Sequence, residues 1–135
     1  MGKLAQRLGD AARSGVYRAP EPAALPEAAR AAGLDLVRIR AEDDPLGRIA
    51  AALDFPAWFG GNWDALEDCL GDLSWRSAGG HVLLFETYPR GEALGVLLDV
   101  LRASADYWAQ RGRPFFALLV DPPRELALPE LEREA

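Results

Sequence analysis

The chain has 135 residues, half of them hydrophobic, which suits one domain with an ordinary core. No apolar run is long enough to span a bilayer or form a signal peptide. The formal net charge of −6, from 15 Lys and Arg against 21 Asp and Glu, argues against direct binding to nucleic acid, and we expect a cytoplasmic protein without membrane contact. One cysteine and one histidine exclude an internal disulfide and the usual four-ligand zinc site, so we expect neither a metal nor a cofactor.

Residues 1–33 are predicted to form an N-terminal extension, made of a helical arm and an irregular connector rich in Pro and Ala. Leu4 and Leu8 recur at helical spacing, whereas three prolines between positions 20 and 26 remove backbone donors and disfavour helix. Four basic residues and one acid give residues 1–18 a charge of +3, which leaves −9 for residues 19–135. The pattern leaves open whether this extension packs on the core.

Residues 34–121 are predicted to form the domain proper, in which strands alternate with helices. The run LDLVRIR from Leu34 alternates apolar and polar residues like a strand, and a helix follows from Pro45 to Leu53. The runs VLLF (82–85) and FFALLV (115–120) are apolar on both faces, as buried strands are, and a helix from Glu92 to Gln110 separates them. This order predicts an α/β fold with a parallel sheet and right-handed crossovers. Residues 122–135 are a predicted charged tail beyond the sheet.

The segment FPAWFGGN (55–62) leads into an amphipathic helix that begins after Asn62, a favourable N-cap. At 100° per residue, one sector of this helix is apolar and holds Trp63, Leu66, Cys69, Leu70 and Leu73. All of its acids fall on the opposite side: Asp64, Glu67, Asp68 and Asp72.

No lysine or arginine occurs between residues 49 and 75, so the acidic side is not diluted by opposite charges. Like charges four residues apart, as in Asp64 and Asp68, destabilise a helix slightly. Periodicity alone leaves two interpretations open, a solvated helix face or a surface selected for binding. In the preceding loop, one of Trp58 and Phe59 can fill the core while the other faces outward as a contact residue.

FPAWFGGNWDALEDCL (55–70) closely resembles the signature of the barstar family, and the similarity extends over roughly residues 34–121. The resemblance implies a three-stranded parallel sheet flanked by helices and inhibition of a secreted, basic ribonuclease of the barnase kind, which protects the producing cell. It also implies that Asp68 occupies the phosphate site of the ribonuclease and that Asp64 assists one turn earlier.

The same resemblance implies further partner-binding residues and marks three departures. Gly60 and Asn62 fall in the stretch that touches the enzyme, and the acids Glu67 and Asp72 extend the face. Trp58 stands where the family has a contact tyrosine, and Glu67 where barstar has a tryptophan. The late-helix glutamate of the family falls at Tyr107, with Asp106 beside it. The full set of predicted contact residues is Trp58, Gly60, Asn62, Asp64, Glu67, Asp68, Asp72 and Tyr107.

Two other functions compete with inhibition. An enzyme using Asp64 and Asp68 as an acid and base pair would need one pKa raised by burial, and nothing near this helix indicates it; we therefore expect no catalytic residues. His81, at the start of a strand, is expected to be an ordinary edge residue rather than a catalytic one. The alternative is a non-inhibitory binding module of the same fold for another basic protein. The oligomeric state stays open, with a monomer expected.

Overall fold

A computed structural model describes residues 2–131 and shows a parallel sheet covered by helices on both faces. The helices are α1 (Lys3–Leu8), α2 (Leu25–Ala31), α3 (Pro45–Ala52), α4 (Trp63–Asp72) and α5 (Gly91–Gln110). The strands are β1 (Gly15–Arg18), β2 (Asp35–Arg40), β3 (His81–Thr87) and β4 (Phe115–Leu119). Their order is β1-β4-β3-β2, and every pairing is parallel. The α/β fold with a parallel sheet flanked by helices is confirmed.

The predicted count of three strands is wrong, because a fourth strand lies within the predicted N-terminal extension. The helical arm ends at Leu8, and Gly15–Arg18 forms an edge strand in which Val16 is buried and pairs with Ala117 of β4. Four residues are too few to show a period of two, and β1 is stabilised by pairing with a strand about 100 positions away. Such long-range pairing leaves no signal in the local pattern of the sequence.

Two apolar layers hold the helices against the sheet. One layer packs α3, α4 and α5 on one face and contains Leu83 and Phe85 of β3. The other packs α1 and α2 on the opposite face and contains the alternate residues Val82 and Leu84. Successive side chains of a strand point to opposite faces, so both faces of β3 are buried. The prediction that VLLF is covered on both sides is therefore confirmed.

The chain after β4 folds back onto β1. Leu128 and Leu131 are buried, and the backbone N–H of Arg18 donates to the carbonyl of Pro129 at 2.7 Å. Asp121 anchors this segment, since its carboxylate accepts hydrogen bonds from the Arg18 guanidinium and two backbone N–H groups of residues 125 and 126. Part of the predicted tail thus packs on the sheet; residues 132–135 lie outside the described residues.

Replacing Asp121 with alanine is expected to lower the free energy of unfolding by about 2 kcal/mol, because Arg18 and two backbone donors lose a buried acceptor. Burial raises the pKa of Asp121, but the donors outweigh it, and the net pKa is lowered. A carboxyl with a lowered folded pKa stabilises above its unfolded pKa, and that stability is lost as the pH falls. The deficit of Asp121→Ala in urea unfolding should therefore shrink below about pH 4.

Asp99→Ala provides the matched control for this change. Asp99 pairs with Arg102 at 3.6 Å on the exposed side of α5, where an ion pair contributes less than about 1 kcal/mol. If Asp121→Ala and Asp99→Ala unfold at the same urea concentration, the anchoring role of Asp121 is wrong.

Candidate functional site

The start of α4 is fixed by its N-cap. The side-chain oxygen of Asn62 accepts a hydrogen bond from the backbone N–H of Ala65 at 2.8 Å, as expected for a cap. Gly61 adopts φ +73°, a left-handed conformation that glycine reaches without strain. The chain therefore turns sharply and enters the helix with a defined orientation, which in turn fixes where the acids of α4 point.

All four acids of α4 are exposed, while the opposite side of the helix is buried in the apolar layer that it shares with α5. The exposed residues are Asp64, Glu67, Asp68 and Asp72; the buried ones include Leu66, Cys69 and Leu70. Within residues 2–131, no arginine, lysine or histidine forms an ion pair with any of the four acids. The inhibitor hypothesis requires this outcome, because carboxylates turned inward or neutralised by the chain's own arginines could not bind a partner.

The loop before α4 separates its two aromatic residues as expected. Phe59 packs against the core and contacts the ring of Phe55 edge-on, with centroids 4.9 Å apart. Trp58 is 61% exposed and rests edge-on against Trp75 at 6.3 Å. Trp75 is itself held by a hydrogen bond from its indole N–H to the carbonyl of Leu53. The Trp58 ring is thus supported by Trp75 and remains accessible to a partner.

A groove of about 440 Å³ runs between α4 and α5. Four of the predicted contact residues line it together: Glu67, Asp68, Asp72 and Tyr107. The other four predicted contact residues do not line the groove. They lie along the start of α4 and the preceding loop: Asp64, Asn62, Gly60 and Trp58. Sequence reasoning missed the other lining residues, Gly71, Ala103 and Ser104, whose small size leaves the groove open.

Arg111 lies beside this groove, stacked on the lining residue Tyr107, and sequence reasoning missed it. Its guanidinium carbon lies 3.5 Å from the centroid of the Tyr107 ring, and its Nη1 donates to the carbonyl of Tyr107 at 2.9 Å. Residues four apart on a helix are neighbours, so this pair could have been proposed from the spacing alone.

Trp108 fixes the separation of α4 and α5. It is buried between the two helices, and its indole N–H donates to the carbonyl of Leu70 on α4 at 2.8 Å. A buried indole N–H needs a hydrogen-bond acceptor, so this contact orients Trp108 relative to α4 in addition to burying its apolar ring. The width of the groove therefore depends on a residue that does not line it.

A cluster of charged residues follows the end of α4 and includes Arg76, Asp35 and His81. Arg76 donates to both carboxylate oxygens of Asp35, and these hydrogen bonds outweigh burial and hold the pKa of Asp35 below its ordinary value. The expectation that His81 is an ordinary edge residue is wrong: it is buried on β3, an inner strand, with Nδ1 3.5 Å from Asp35. Burial lowers the pKa of His81, which favours its neutral form at neutral pH.

Within residues 2–131, no group of three or more His, Cys, Asp or Glu side chains is arranged to hold a metal ion. In the same part of the chain, no helix combines the length and the apolar character that crossing a bilayer requires.

Comparison with protein families identified one relationship. The family model described as "Barstar (barnase inhibitor)" matches residues 29–120. Comparisons with curated proteins and with solved structures gave no match. The matched segment contains the acidic helix, the groove and β2 to β4, and it spans well over half of the chain. On this ground the protein belongs to the barstar family, whose members are described as barnase inhibitors.

Proposed function

We propose that this protein inhibits a basic ribonuclease of the barnase type by inserting the acidic side of α4 into the active-site cleft of the enzyme. The observation that carries the proposal is the row of four exposed carboxylates on α4 that no cation of the described chain neutralises. Repulsion between the like charges of this helix face lowers the stability of the protein slightly. Binding to a cationic partner would explain why the face is acidic nonetheless.

The chemistry of the target explains why carboxylates suit this task. A ribonuclease must hold RNA phosphates, and the phosphate backbone is bound chiefly by lysine and arginine. Carboxylate oxygens spaced along a helix offer those same side chains short, charge-assisted hydrogen bonds, bidentate where the partner is arginine. The protein thereby competes with RNA for the groups that bind and orient it, and cleavage stops.

Each predicted contact residue has a place in this arrangement. Asp68 enters the phosphate site, and Asp64 assists from the exposed turn before it. Glu67 and Asp72 line the groove beside Asp68 and extend the negative surface. Trp58 supplies an aromatic anchor at the edge, while Gly60 and Asn62 bring backbone of the loop close to the enzyme. Tyr107 closes the α5 side of the groove.

The experiment that tests the proposal is a titration of purified basic ribonucleases, barnase among them, with this protein, using cleavage of a fluorescent RNA as the readout. At least one ribonuclease is expected to lose its activity near an equimolar amount of inhibitor. Since opposite charges steer the encounter, the association rate constant should fall roughly tenfold or more as salt is raised to screen them.

Two outcomes of this titration would contradict the proposal. The first is that no ribonuclease loses activity in excess inhibitor. The second is binding that leaves RNA cleavage intact, which would instead support a non-inhibitory module for a basic partner. Hydrolysis of RNA by the inhibitor alone serves as the control for contaminating or intrinsic nuclease activity.

A further inference from the structure

The groove between α4 and α5 is acidic on its α4 side and has a cation beside it, stacked on a ring that lines its α5 side. The α4 side presents Glu67, Asp68 and Asp72, and the α5 side presents Tyr107 with the guanidinium of Arg111 stacked on its ring. A Cβ added to Gly71 would lie 3.8 Å from the Tyr107 ring, so this ring sits directly across from α4. A partner that covers the groove and the Tyr107 ring therefore meets three anionic groups of α4 and, beside them, the one cation stacked on Tyr107.

Arg111 is held in place by two contacts and keeps its charge unneutralised. The ring of Tyr107 supports one face of the guanidinium, and the Tyr107 carbonyl binds Nη1. Within residues 2–131, no carboxylate lies within 4.0 Å of Arg111. A guanidinium fixed in this way loses little freedom on binding, and its free N–H groups match a carboxylate.

Such a cation is a disadvantage against a cleft whose rim is basic throughout. A lysine or arginine of the enzyme placed opposite Arg111 would be repelled at short range, and like charges brought together at an interface exclude wrong partners. A carboxylate in that position would instead form a charge-assisted hydrogen bond with Arg111.

We infer that Arg111, stacked on Tyr107, selects ribonucleases that carry an acidic side chain on the cleft rim opposite α5 and rejects those with a basic residue there. This inference rests on the proposed function and specifies its partner further. The cognate enzyme presents cations to α4 and a carboxylate to Arg111.

A charge swap between inhibitor and enzyme tests the inference. The probe is the ribonuclease that the wild-type protein inhibits at the lowest concentration, with each acidic residue on its cleft rim changed to lysine in turn. One lysine variant is expected to bind the wild-type inhibitor at least about tenfold more weakly and to recover its affinity for Arg111→Glu. Arg111→Glu should also bind the unmodified enzyme about tenfold more weakly than wild type does.

Arg102→Glu is the matched control, because Arg102 is an exposed arginine of α5 that pairs with Asp99, whereas Arg111 stacks on Tyr107. It should rescue no lysine variant. The inference is overturned if Arg111→Glu rescues none either, or if it inhibits the unmodified enzyme as strongly as wild type. Asp68→Ala distinguishes this failure from failure of the proposed function. If Asp68→Ala weakens inhibition but Arg111→Glu has no effect, only the inference is wrong. If Asp68→Ala does not weaken inhibition, the acidic-helix mechanism itself is wrong.

Discussion

Replacing Asp68 with alanine is expected to weaken inhibition of the target ribonuclease by at least about 30-fold, equivalent to about 2 kcal/mol or more of binding free energy. Asp68 lies in the middle of α4 and lines the groove, so in the complex its carboxylate would be shielded from water against cations of the enzyme. Removing it leaves those cations buried without a partner, and this penalty dominates the loss.

Asp72→Ala is the matched comparison and is expected to weaken inhibition by only about threefold. Asp72 lines the same groove, but it is the last residue of α4, and its carboxylate already accepts a hydrogen bond from the backbone N–H of Ser74 at 3.3 Å. A charge at the rim of an interface acts mainly on the association rate and is screened by salt.

The stability of Asp68→Ala should move in the direction opposite to its affinity. Asp68 stands four residues from both Asp64 and Asp72, so its removal relieves two repulsions, each of a few tenths of a kcal/mol. Inhibition constants and urea unfolding measured on the same preparations test both effects. Equal losses of inhibition for Asp68→Ala and Asp72→Ala would show that the alignment of Asp68 with the phosphate site is wrong.

The sequence predicted the helix α4 and its two sides because that information is local. A helix repeats every 3.6 residues, and ten residues with apolar and acidic positions in phase are enough to define which side is buried. Asn62 and Gly61 add a start signal that depends only on neighbouring residues, up to Ala65. The same reasoning placed α3, α5 and strands β2 to β4 to within one or two residues.

Features that depend on distant partners could not be predicted in this way. β1 is stabilised by pairing with β4. The segment after β4 packs on the sheet because Asp121 accepts a hydrogen bond from Arg18. The groove likewise depends on the distance between α4 and α5, which the hydrogen bond from Trp108 to Leu70 helps to fix across 38 positions. The sequence suggested Tyr107 as a contact only through a family resemblance, and it gave no reason to place that ring opposite Gly71.

Trp108→Ala is expected to lower the free energy of unfolding by about 4 kcal/mol, since it removes a large buried ring and leaves the Leu70 carbonyl without its donor. The free energy of unfolding of a small domain is about 5–15 kcal/mol, so a loss of this size shifts the midpoint of urea unfolding to a much lower urea concentration. Trp108→Phe separates most of the two contributions, because it keeps most of the apolar volume and loses the N–H donor.

Trp58→Ala is the control that distinguishes a stabilising tryptophan from a binding one. Because Trp58 is 61% exposed, its loss should change the free energy of unfolding by less than about 1 kcal/mol. It should nevertheless weaken inhibition about tenfold, as expected for an aromatic contact residue that the partner buries. Trp108→Ala that unfolds at the same urea concentration as wild type would contradict the first role, and Trp58→Ala with unchanged inhibition would contradict the second. Under the proposed function, α4 can inhibit only while Trp108 holds it beside α5, so Trp108 is expected to act on this surface through the fold and Trp58 through contact with the partner.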